Sequence, residues 1–346
     1  LKFTLYNWSY SPNPHKRLIF VFDIPIEIFD EVAMDWDEQR LGRRLKLRDL
    51  HVLLVVAECG SMGKAADRLS VSQPAISKII SDMEYALGVP LLDRNPRGVE
   101  PTVYARALLD GGVVVFDQLK QAIKRVEFLA NPGTGELWIG STIAIAAGFI
   151  PAVIDRMSQQ YPRMVFHLSA GEASTTYRAL EERKVDLVIS PIFAPIDENI
   201  HTEVLYNEPL VVIAGSQSTW ARRRRLELAE LASATWTLPP PSSLTGSVVV
   251  EAFRAQGLDL PGATVFTSVT PVRNALVATG RYLSLAQGSV ARFSRDNPGF
   301  KVLPIDLPTT RRPIAVITLK NRTLSPNAQL FINCAHEVAK ALARRN

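Results

Sequence analysis

The stretch GSMGKAADRLSVSQPAISKIISDMEYALG, residues 60–88, decides the fold. Ser61 is placed to cap a helix from Met62 to Leu69, in which the small Ala65 and Ala66 let a neighbouring helix come close. After the brief Ser70-Val71 connection, Ser72 caps another helix whose first turn holds Pro74, where a missing amide hydrogen costs little. Ile76, Ile79, Ile80, Met83 and Leu87 recur at helical steps and mark its buried stripe, while Gln73, Ser77, Lys78 and Ser81 fall on the other side. Gly88 and Pro90 stop it.

Upstream, Leu47, Leu50, Leu54 and Ala57 form the apolar face of a short helix that Gly60 ends. Downstream, two short apolar runs between Leu91 and Pro101 flank an Asn95-Pro96-Arg97-Gly98 turn, which reads as a hairpin wing. The pattern predicts a winged helix-turn-helix over residues 46–102. Such a pair of helices, the second opening on polar side chains, presents those side chains to base edges in a major groove. From the segment opened by Ser72, Gln73 can pair bidentately with adenine and Ser77 can bond either base type. Pro74 or Ala75 can touch a thymine methyl, and Lys78 suits a phosphate. Arg94 and Arg97 in the wing suit a minor groove or phosphates, although a solvated hairpin would carry the same residues.

Five runs within this module, LRDL (47–50), GSMGKAA (60–66), SQPAIS (72–77), LGVPLLDR (87–94) and GVEPT (98–102), resemble the LysR-type transcriptional regulators nearly residue for residue. Leu92 stands where that family often has Phe. The runs RRLKL (43–47) and RGVEP (97–101) are similar to a subgroup associated with regulating the genes of sugar-binding proteins. The resemblance implies a regulator of transcription that binds double-stranded promoter DNA as a homodimer and, beyond it, a tetramer. It also implies a small-molecule effector in place of a cofactor, a sensor built like periplasmic binding proteins, and an influence on RNA polymerase.

The composition agrees with a multidomain chain. At 346 residues with 47% hydrophobic and 21% charged side chains, it is long and apolar enough for separate cores. A net charge of +5 permits a polyanionic partner. Cys59 and Cys334 are too few for a disulfide framework or a zinc site, which suits a reducing cytoplasm and two small buried side chains. No stretch approaches a membrane span, and the short Leu18–Phe22 run followed by Asp23 and Pro25 is a poor export signal. The first methionine is Met34, so residues 1–33 read as an upstream extension and 1–45 as lying outside the fold.

Thr102 is placed to cap a helix running to about Ala130, where Pro132 and Gly133 end it. Ala105, Leu108, Gly112, Val115, Leu119, Ala122, Val126 and Leu129 alternate three- and four-residue steps, a heptad seam across residues 103–132. Leu108, Val115, Leu119 and Val126 are therefore the expected dimer contacts, with burial in a single-chain core as the other explanation of the stripe. Gly111 and Gly112 weaken that helix by about 1 kcal/mol each relative to alanine.

From residue 133 to 346, strands and helices alternate in two sets, which predicts two α/β lobes with a largely parallel sheet and a cleft at the strand ends. Single elements are expected over 136–140, 145–160, 164–169, 175–184 and 186–189 in the first set. Ser141 and Thr142 follow the first strand, Ser268 and Thr270 hold the equivalent place in the second lobe, and Ser190 ends a third strand. Their hydroxyls, with helix amides, suit an anionic effector, but serine or threonine at such a junction also serves as a plain N-cap. What favours the first role is the parallel placement in both lobes and agreement with the effector positions that the resemblance implies. Arg273 is a possible added charge, and the basic run Arg222–Arg225 reads as a solvated face.

An enzyme is not expected. His15, His51, His167, His201 and His336 show no metal-ligand spacing, and neither a Gly-x-Ser-x-Gly elbow nor a phosphate-binding glycine loop is present. A solute-binding protein would share the two-lobed half but not the module at 46–102.

Overall fold

A computed structural model describes residues 45–96, 98–193, 197–262, 264–289 and 299–343. The expectations for residues 1–33, Met34 and Arg97 lie outside them. The described chain divides into two compact units, and the division falls between Leu109 and Asp110. The heptad helix expected as a separate piece is thus shared between the two.

In the first unit, α1 (Leu47–Cys59), α2 (Met62–Leu69) and α3 (Gln73–Leu87) pack around Leu53, Val56, Ala65, Ile76, Ile80 and Met83. Gly60 and Gly88 end their helices in the left-handed conformation, as glycine does without steric cost. Ser61 and Ser72 accept the amide hydrogens of Lys64 and Ala75, so both are the caps that the sequence predicts. The wing is an antiparallel pair, β1 (Leu92–Asn95) and β2 (Gly98–Pro101). Two contacts hold it. The Glu84 carboxylate accepts the amide hydrogens of Leu91 and Leu92 at 2.8 and 3.3 Å. Gly98 packs so tightly on the α1–α2 turn that a Cβ there would lie 2.2 Å from the Gly60 carbonyl oxygen.

Thr102 accepts the Ala105 amide hydrogen and opens α4 (Val103–Ala130). Its first turns complete the core of the first unit: Ala105 is fully buried and Leu108 packs beside it. Leu108 is therefore partly buried against this core, the other explanation that its stripe allowed. The seam arises further along, where Val115 and Leu119 are each 44% exposed and Val126 66%. The opposite face of α4 carries Asp117, Gln121 and Lys124, all buried.

The second unit contains both lobes. In the first, β3 (Thr134–Thr142), β4 (Arg163–Gly171), β5 (Leu187–Pro191), β6 (Ile200–Glu208) and β12 (Arg312–Leu319) form a sheet in the order β4-β3-β5-β12-β6. Neighbouring residues of β5 face opposite ways, as strand geometry requires: Leu187 and Ile189 join a core with α6 (Phe149–Gln160) and α10 (Pro326–Ala343), and Val188 joins another with α7 (Ala173–Glu181). The expected helix over 145–160 is two, α5 (Ile143–Ala147) and α6, divided at Gly148. Pro151 accounts for the break, since it has no amide hydrogen to give the Ala147 carbonyl four residues back.

The chain passes to the second lobe after β6 and returns before β12. There β7 (Leu210–Gly215), β8 (Thr235–Leu238), β9 (Thr264–Phe266), β10 (Tyr282–Gln287) and β11 (Phe300–Val302) stand in the order β11-β7-β10-β8-β9. Helices α8 (Leu244–Arg254) and α9 (Thr270–Ala278) accompany them. The two crossing segments are tied where Thr310 accepts the Leu210 amide hydrogen at 2.9 Å. Cys59 and Cys334 are half-buried free thiols rather than fully enclosed ones, and burial pushes the Cys334 thiol up from its ordinary pKa.

Candidate functional site

Two sites are built, one in each unit. In the first, α3 turns Ile76, Ile80 and Met83 inward, and the same periodicity turns Gln73, Lys78 and Ser81 out. Ser72, Gln73, Pro74, Ala75 and Lys78 are exposed at the start of the helix, and Arg94 is exposed on the wing. Ser77 is half-buried and gives its hydroxyl hydrogen to the Met62 sulfur at 3.2 Å, so part of its bonding capacity ties α3 to α2. The result is a polar helix start fixed by three wholly apolar anchors beneath it, with little freedom to reorient.

The second site is a cleft between the two lobes of about 980 Å³, counting the space open to solvent. The carboxyl ends of β3, β4, β5 and β10, from both sheets, contribute to its walls, where ligands of open α/β folds bind. Thr142, Ser268 and Thr270 line it, as do Arg273 and Gln287. Thr142 stands before α5 but makes no capping bond, and its Oγ1 is buried with no partner among the described residues. The residue that caps α9 is Val269, not Ser268 or Thr270. These hydroxyls therefore do not serve as side-chain caps.

Ser141 and Ser190 require correction. Both are fully buried outside the cleft lining, because their side chains point into the sheet rather than past its end. Ser141 donates to the Ile189 carbonyl at 2.9 Å, and Ser190 donates to that of Pro191 at 3.0 Å. The sequence reading missed Gln287, Glu172, Ser243 and Thr245, which also line the cleft. A polar residue closing the buried run YLSLAQ (282–287) was the available signal for Gln287.

Arg273 directs Nε and Nη2 to the side-chain oxygen of its neighbour Asn274 and Nη1 to the Leu285 carbonyl. Burial lowers its pKa, yet a guanidinium remains charged across the physiological range. The basic run expected to be solvated is so: Arg222–Arg225 are exposed, and Arg223 pairs with Glu230 at 2.7 Å. Among the described residues no cluster of three or more His, Cys, Asp or Glu is placed to hold a metal ion, and no helix is long and apolar enough to cross a membrane.

Comparison with known proteins covers both units. The chain is 26% identical over 307 residues to the HTH-type transcriptional regulator GbpR of Azospirillum brasilense, covering 88% of this chain and 90% of that one. It is 26% identical over 291 residues to the transcriptional dual regulator GltC of Bacillus subtilis, covering 83% and 95%. Its fold is similar to full-length CbnR complexed with its target DNA, at a TM-score of 0.60, 23% identity and coverage of 85% and 100%. The bacterial regulatory helix-turn-helix family of lysR type matches residues 47–106, and the LysR substrate binding domain matches residues 130–340. Since the second match alone spans more than half of the chain, the protein belongs to the LysR family of DNA-binding transcriptional regulators.

Proposed function

We propose that the protein acts in the cytoplasm as a homo-oligomeric switch on promoter DNA. The start of α3 reads base edges in a major groove, Gln73 through a bidentate bond and Pro74 or Ala75 through thymine methyls, while Lys78 and the wing arginines engage phosphates. Two α4 helices pair through Val115, Leu119 and Val126, and two such dimers associate. One short helix reads few bases, whereas paired copies read two half-sites and gain specificity. A small molecule held by Thr142, Ser268, Thr270 and Arg273 favours one arrangement of lobes and subunits. Only a ligand with different affinities for the two arrangements shifts their balance. The bend of the DNA then changes, and with it the access of RNA polymerase.

The observation that carries this reading is the exposed Gln73-Pro74-Ala75 opening over the buried Ile76. Selection of bound duplexes from a random library by the full chain tests it. The expected product is an inverted repeat whose half-sites are about one helical turn, or a multiple of it, apart. Recovery of duplexes with no common sequence would overturn it.

A further inference from the structure

Helix α4 is gripped at two places with an ungripped stretch between them. Toward its start Thr102 caps it, Ala105 is fully buried, and Leu108 and Leu109 pack against the core of the first unit. The second grip begins at Asp117, which Arg183 and Arg322 each hold at 2.7 Å. Gln121 donates to Asp186 at 3.4 Å, and Lys124 pairs with the same carboxylate at 2.8 Å. Between the grips runs Asp110-Gly111-Gly112-Val113-Val114-Val115, exposed at every position but Gly112. The two compact units part at its first residue.

The same stretch is the poorest helix former in α4. Glycine gives up the most backbone freedom on entering a helix, and valine loses side-chain freedom against the preceding turn. Five such residues in a row, Gly111 to Val115, occur nowhere else in the helix. Packing rather than propensity holds most protein helices together, and in α4 packing is withdrawn where propensity is lowest. Gly111 is not required for room either: a Cβ there would meet nothing within 4 Å among the described residues.

We propose that α4 is a jointed rod, in which residues 103–109 travel with the helix-turn-helix, residues 117–130 stay fixed to the first lobe, and the helix opens and bends at Gly111-Gly112. Such a joint lets two reading heads on one dimer meet half-sites at more than one spacing. Each base pair added between half-sites turns one about the duplex axis by roughly 35° relative to the other, and a rigid α4 would have to pass that rotation to the sensors. The use on DNA rests on the proposed reading of paired half-sites; the joint itself does not.

Hydrogen exchange of the full chain, read by mass spectrometry, tests the joint. The amides of residues 113–116 should exchange about ten-fold or more faster than those of 105–109 and 121–128. Gly111→Ala restores helix propensity without a clash, and should slow the fast amides by about five-fold while the flanks stay as they are. Protection in the wild type that runs unbroken from 105 to 128 would overturn the joint. Its use is read from binding to a selected duplex and to versions with one base pair added or removed between the half-sites. Gly111→Ala combined with Val114→Ala should match the wild type on the selected spacing and fall about ten-fold further behind on the altered ones. Identical spacing profiles, with exchange slowed, would discard the adaptation of the heads. Weaker dimers of Gly111→Ala in sedimentation would mean that the glycine serves close approach of a second copy, and would overturn the inference. A chain that binds no duplex would count against the reading of α3, and the exchange pattern would still decide the joint.

Discussion

At the scale of single residues, Gly98 shows how closely the wing depends on one atom's absence. Its φ of 141° and the Gly60 carbonyl 2.2 Å from an added Cβ leave a side chain nowhere to go. Gly98→Ala should therefore destabilise the first unit by roughly 1–3 kcal/mol, read as a lower denaturation midpoint with the slope unchanged. A midpoint equal to wild type would mean that the wing does not rest on the α1–α2 turn. The turn was legible from sequence because Asn, Pro and Gly mark turns, but the contact with Gly60 is a matter of packing. Legibility failed in a different way at Ser141 and Ser190: position at a strand end does not reveal which way the side chain points. A shift of one residue separates Ser141, bonded inside the sheet, from Thr142, which faces the cleft.

Among the elements, α4 has two faces of contrasting character, and only one announces itself in the sequence. Apolar residues at heptad spacing predict the exposed seam. Asp117, Gln121 and Lys124 have the spacing of a solvated face, yet they are buried against the first lobe in a charged cluster. Arg322 holds Asp117 at 2.7 Å and reaches Asp186 at 3.3 Å, Arg183 holds Asp117 at 2.7 Å, and Lys124 pairs with Asp186 at 2.8 Å. The partners lie at least 62 residues away in sequence, so no local pattern foretells them. Asp117→Ala should cost about 3–5 kcal/mol in the stability of the second unit, because Arg183 loses its counter-charge while still enclosed. Burial pushes the Asp117 carboxyl up, and the hydrogen bonds from Arg183 and Arg322 with the Arg322 charge outweigh it, leaving the pKa below its ordinary value. The cluster's contribution is thus complete above the unfolded carboxylate value and is lost as pH falls through the lower folded one. Amide exchange along residues 110–130 should accelerate in that acid window in the wild type but not in Asp117→Ala; equal profiles would contradict the anchoring. On the other face, Leu119→Glu with Val126→Glu should convert dimers into monomers in sedimentation experiments, while the half-exposed positions leave the fold intact. Dimers of unchanged affinity would remove α4 from the interface.

For the whole molecule, the alternation of strands and helices was sufficient to anticipate two α/β lobes, whereas β6 went unread. Its sequence IHTEVLYNE alternates only weakly and is fully buried only at Glu208, and its pairing is with β12, more than a hundred residues on. Long-range pairing of this kind also makes the first lobe from two distant parts of the chain. The division between units inside α4 was equally hidden, since a continuous helical pattern carries no mark where its packing partners change. The helix-turn-helix was legible almost in full because its caps, turns and core are local, and the same locality makes its surface the most direct place to test the protein's action. A cycle pairing Gln73→Ala with each base substitution across a selected half-site provides that test. If Gln73 reads a base edge, the coupling is roughly 1–3 kcal/mol at one base pair and near zero at the others. Coupling near zero at every base pair would show that α3 does not read DNA through this residue.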